Sequence, residues 1–74
     1  MDMEYARRVG QTIRALRMEK RLTQDALSAK AQLLGCDLTR SALAKIECGQ
    51  RSVYPDELKA LHLALGVPYE ALLP

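Results

Sequence analysis

Arg40, Ser41, Ala44 and Lys45 follow one another at spacings of one, three and one residues, so a helix would gather them on one side. Leu43 and Ile46 would then fall on the other side and be buried. The first set is made of short or positively charged groups. Donors and one methyl-sized contact on a compact helix are what is needed to read base edges in a DNA major groove. A solvated helix face has the same residue types, and spacing by itself leaves both readings open.

Other chemistry finds less support. Ser28, Ser41 and His62 form no identifiable nucleophile system, and no phosphate-binding glycine loop is present. Asp25, Asp37, Glu47, Asp56 and Glu57 are accounted for as caps, surface groups or an ion-pair partner, so no enzyme is expected. Cys36 and Cys48 lie twelve positions apart with one histidine and no further sulfur ligand in the chain. No metal site and no cofactor are expected from that set, and the cysteines read as small hydrophobes in a reducing cytosol. His62 reads as a helix-surface residue. Eleven Lys and Arg against nine Asp and Glu give a net charge of +2, a mild lean towards polyanions that does not by itself identify a DNA binder.

The elements that must position these residues can be read from the same string. Thr23 is placed to cap a helix through Leu27, Ala31 and Leu34, and Thr39 to cap the helix of Leu43 and Ile46. Gly35, Cys36 and Asp37 form the turn between them, with AKAQLLG able to extend the earlier helix by a turn. Leu38, just before the Thr39 cap, is positioned to pack on Leu43 as a hydrophobic staple. Gly49 sits where the later helix should end.

Ahead of this unit, Met1 to Arg21 reads as one helix. Tyr5, Val9, Ile13 and Leu16 form its apolar side, and Asp2 stands near its start. Gly10 interrupts it at up to about 1 kcal/mol relative to alanine, either because another helix approaches closely or as a tolerated defect. Behind the unit, Pro55 opens a fourth helix with Asp56 and Glu57 in its first turn, Leu58, Leu61 and Leu65 inward, and Gly66 at its end. A final turn or short helix holds Tyr69, Glu70, Leu72 and Leu73. The expectation is an all-α chain of five helices forming one domain over residues 1–74, with a helix-turn-helix core at 23–49. Seventy-four residues leave room for a small core only. No apolar run reaches membrane length and no signal segment follows the N-terminal charges, so a cytoplasmic or nucleoid-associated location is expected.

Gly10, Ile13, Arg14, Leu16 and Arg17, then Leu22, Thr23 and Gln24, then Thr39, Ser41, Leu43, Ile46, Glu47 and Gly49, and the closing LxALxLALGVxxExLL together resemble the Cro and phage repressor helix-turn-helix family of XRE-type regulators. The resemblance spans about Tyr5 to Leu73. It implies a compact five-helix lambda-repressor-like fold and sequence-specific binding of double-stranded operator DNA for transcriptional control, above all repression, commonly as a symmetric dimer. It also implies base recognition by Arg40, Ser41, Ala44 and Lys45, with Ala44 against a thymine methyl. Gln24, Thr23, Thr39 and Arg51 are implied at the DNA backbone, and Arg17 paired with Glu47 as a structural tie. Taken singly, Arg7, Arg8, Arg14 and Arg51 read as surface charges before they read as phosphate ligands.

Two departures bear on that reading. The connection containing QLLGCDL is about five residues longer than in many members, and Cys48 replaces the asparagine common before the closing glycine. Val67, Tyr69, Leu72 and Leu73 are more apolar than a solvated tail needs, and either form a dimer surface on DNA or seal the monomer core. A protein partner is the alternative in a second sense. An antitoxin-like or adaptor protein would keep the same helices and use its leucine-rich rear surface to bind another protein.

Overall fold

The computed structural model describes residues 3–74. Helix α1 (Met3–Glu19) buries Ala6, Val9, Gly10 and Ile13 on one side, the four-and-three spacing of the apolar pattern. Asp2 lies outside the described residues. The side chain of Thr23 accepts from the Ala26 N–H at 3.0 Å to open α2 (Gln24–Leu33). Thr39 does the same for α3 (Arg40–Glu47) through the Ala42 N–H at 3.1 Å. Pro55 stands at the first position of α4 (Pro55–Leu65), where its missing N–H costs nothing.

Each of these four helices closes in the same way. The N–H of Leu22, Cys36, Gln50 and Val67 returns to the carbonyl five residues earlier, at Arg17, Ala31, Lys45 and His62. That bond requires a left-handed residue just before it. Glycine supplies it at 35, 49 and 66, and Arg21 at φ 59° supplies it for α1. The fifth helix expected from sequence is a single 3-10 turn at Tyr69–Leu72, so the described residues hold four α-helices. Pro68 and Leu73, which flank it, are both in extended conformation, so the turn is continued on neither side.

The core joins Val9 and Ile13 of α1, Leu27 and Ala31 of α2, Leu43 and Ile46 of α3, and Leu61 and Leu65 of α4, with Leu72 below. Leu38 and Leu43 are both fully buried in it, as a staple requires. Two expectations need correction. Helix α2 runs through most of AKAQLLG and ends at Leu33, where the bond from the Cys36 N–H to the Ala31 carbonyl closes it. Leu34, its C-cap within that closure, is 51% exposed rather than inward. Cys48 is exposed, and only Cys36 packs as a small hydrophobe; both thiols are free.

The long connection before α3 is tied down by a residue that the apolar pattern passed over. Ser28, buried on α2, donates its hydroxyl to the Leu38 carbonyl at 2.6 Å, and Gln32 donates to the same oxygen at 3.2 Å. These bonds fix the approach to Thr39, and with it where α3 starts.

Candidate nucleic-acid interface

Helix α3 presents two unlike sides. Leu43, Ile46 and Glu47 are buried, whereas Arg40, Ser41 and Lys45 are exposed and Ala44 is half-buried between them. The four sequence-predicted readers are thus together on the open stripe. Arg40 Nε lies 3.8 Å from Asp25 Oδ1 with both side chains largely in solvent, a weak contact that salt screens. Lys45 has no ion-pair partner among the described residues.

What holds this stripe in place is a cluster behind it. Arg17 donates from Nε to Glu47 Oε2 at 2.7 Å and from Nη2 to Oε1 at 3.0 Å. Its remaining Nη1 donates to the Leu22 carbonyl at 2.7 Å, and Gln24 Nε2 reaches Glu47 Oε1 at 3.0 Å. One carboxylate therefore links α1, the start of α2 and the end of α3. The Glu47 hydrogen bonds raise the Arg17 guanidinium further above its ordinary value, against a smaller opposing effect of burial. It stays charged at every accessible pH.

Gly10 explains the close approach of α1 to α3. A Cβ at this position would collide with the Ile46 carbonyl oxygen and stand 3.0 Å from its carbon. The interruption in the first helix is a packing requirement, not a tolerated defect.

The backbone-facing set is divided. Thr23 and Thr39 are exposed caps, and Gln24 is half-buried against Glu47 with its amide at the start of α2. Arg51 is engaged elsewhere. Its Nη1 and Nη2 meet Glu57 Oε1 and Oε2 at 2.9 and 2.6 Å, Nη1 also reaches the Ser52 carbonyl, and the guanidinium lies 4.6 Å from the centroid of the Tyr54 ring. Glu57 is buried and needs that cation, so Arg51 is a structural partner before it is a phosphate ligand. Burial pushes the Glu57 carboxyl up, but Arg51 and the Tyr54 N–H together hold it below the usual carboxylate value.

The suggested dimer surface is divided too. Tyr69 and Leu73 are exposed at 42% and 43%, Val67 is half-buried, and Leu72 is fully buried in the monomer core. Leu72 is therefore removed from the surface set, because the 3-10 turn points it inward against α1 and α4. His62 packs on Tyr69 at 3.9 Å between ring centroids, with Nδ1 3.0 Å from the Val67 carbonyl, which gives it a structural place.

A helix-turn-helix family model matches residues 13–72, a span that takes in Arg40, Ser41, Ala44 and Lys45 and the cluster of Arg17, Gln24 and Glu47 behind them. The chain belongs to the XRE-type helix-turn-helix family. Members of known structure superpose closely on it. The restriction-modification controller protein C.AhdI from Aeromonas hydrophila is 31% identical at a TM-score of 0.82, covering 92% of this chain and 96% of that one. The DNA-binding domain of BldD is 32% identical at a TM-score of 0.82 over 100% of both chains. The S. venezulae BldD DNA-binding domain is 30% identical at 0.78, covering 96% of this chain and 99% of that one. No curated protein sequence matches the chain.

One group was missed as a group. Arg7, Gln11 and Arg14 of α1 line a concavity of about 540 Å³ together with Gln24, Glu47 and Cys48. Helical spacing puts the three on one stripe of α1, and the packing of α1 on α3 sets that stripe beside Gln24, Glu47 and Cys48. Their spacing of four and three was the available signal.

Proposed function

We propose that the chain binds a specific double-stranded operator and represses transcription by occupying it, without catalysis. Its place of action is the cytoplasm or nucleoid, and its residues 1–74 work as one helix-turn-helix domain. The observation that supports this best is the open stripe of Arg40, Ser41, Ala44 and Lys45 on a helix whose other side is clamped by the core and by Glu47. Arg40 and Lys45 donate to guanine O6 and N7, Ser41 is a short donor or acceptor, and Ala44 meets a thymine methyl. Thr23, Gln24 and Thr39 stand at the helix starts that border the groove and set register on the backbone. The identity to the BldD DNA-binding domain over its full length supports the same reading.

Selection of bound duplexes from a random library tests it, with Arg40→Ala in parallel. A short enriched site should emerge, and R40A should relax preference at one base pair at a cost of about 1–3 kcal/mol. A library that yields no enriched site would reject the proposal. An unchanged preference in a folded R40A would reject Arg40 as a reader.

A second reading, an antitoxin-like or adaptor protein, is favoured by one observation. Leu33 is 89% exposed, and with Leu34, Leu63, Lys30 and Ala64 it lines an apolar groove between α2 and α4. A stable heterologous complex with no retention of DNA would favour it over repression.

A further inference from the structure

Arg7, Gln11 and Arg14 form one stripe along α1, and that stripe borders the concavity closed by Gln24, Glu47 and Cys48. Cys48 follows Ser41 by seven positions and Ala44 by four, so the concavity continues the open stripe of α3 past its last turn. For a duplex on α3, as proposed above, this hollow is the surface next to the end of that stripe, where a sugar-phosphate strand would pass. Glu47, the carboxylate in its wall, is neutralised by the two hydrogen bonds from Arg17. Arg7 is drawn to Glu4 at 3.0 Å. Arg14 is exposed and has no side-chain partner among the described residues, and the same holds for Gln11. Gln24 gives one amide hydrogen to Glu47 and keeps another. An uncommitted guanidinium fork with two amide donors around one hollow suits a singly charged phosphodiester: the fork supplies charge and paired donors, and the amides reach the remaining oxygens.

We propose that Arg14, with Gln11 and Gln24, seats one backbone phosphate of bound DNA between α1 and the start of α2. The proposal rests on the DNA-binding reading above and adds a contact to it. Because the seat touches no base, its loss weakens all duplexes alike.

Salt titrations of R14A, R14K, Q11A and R8A on the selected operator and on a random duplex test it. R14A should flatten the slope of log affinity against log salt by about 0.9, the counterion release of one phosphate. Its deficit against the unmodified protein then grows about eightfold for each tenfold dilution of salt. R14K keeps the charge but not the fork, so it should hold the slope while weakening both duplexes. Q11A should weaken both by one factor at an unchanged slope. R8A, whose cation lies over the Tyr5 ring, should keep the original slope. An unaltered slope in R14A, a shift in base preference, or an equal loss of slope in R8A overturns the seat. An R40A protein with altered base preference would then still uphold DNA reading, whereas failure of the unmodified protein to bind any duplex overturns both.

Discussion

Glu47 accepts from both Arg17 and Gln24 while its side chain is only 2% exposed, and that of Arg17 is 11% exposed. Truncating it leaves a guanidinium and an amide without their acceptor in a nearly dry place. Glu47→Ala should cost about 3–5 kcal/mol, against a total of about 4–11 kcal/mol for a chain of this length. Urea unfolding measures it, and a loss below about 1 kcal/mol would show that the pair does not hold α3. Glu57 gives a pH-dependent counterpart. Its carboxyl is held below the usual value of 4.5, so its contribution is complete above that value and is lost as pH falls through the lowered one. Melting curves of the unmodified protein and E57Q should therefore differ at neutral pH and converge in acid below about pH 4.5. A constant gap down to pH 3 would refute this. At this scale the sequence was partly legible. The tie of Arg17 to Glu47 was implied by the family resemblance, not by spacing, because the partners lie far apart in the chain. The pairing of Arg51 with Glu57 was not legible, because nothing local shows that Glu57, six residues on, is buried and in need of a cation.

Helix starts and stops were legible because capping is local chemistry. Thr23, Thr39, Pro55 and the glycines at 49 and 66 all act within a few residues of their positions. The extent of α2 and the route of its connection to α3 were not, since they depend on Ser28 and Gln32 reaching the carbonyl of Leu38. The last helix was over-read because four residues with apolar periodicity form a 3-10 turn as readily as an α-turn. Gly10 is where propensity and packing oppose each other most clearly. Alanine would favour the isolated helix by up to about 1 kcal/mol, yet its methyl would overlap the Ile46 carbonyl. Gly10→Ala should therefore lower stability, by about 1–3 kcal/mol as for an overpacked core, with α1 displaced from α3. A higher melting temperature for G10A would show that the two helices are free to separate without cost.

For the whole molecule, one α3 offers few base contacts, and a two-fold pair doubles them without a further domain. The specific complex should contain two copies on a palindromic or nearly palindromic site with half-site centres about 34–36 Å apart. Native mass measurement with footprinting checks this, and a single copy on an asymmetric site would reject it. Tyr69, Leu73 and half-buried Val67 are the surface proposed to meet across the pair. The separation of the two sides of α3 bears on how such a protein changes over generations. Leu43, Ile46 and Glu47 anchor the helix, whereas Arg40, Ser41 and Lys45 contribute almost nothing to the core. On the reading proposed above, drift at those three positions leaves folding untouched and changes what the operator meets. A lineage can therefore acquire a new target by a few point changes while inheriting the same scaffold, and duplicated copies can diverge into regulators that ignore one another's sites.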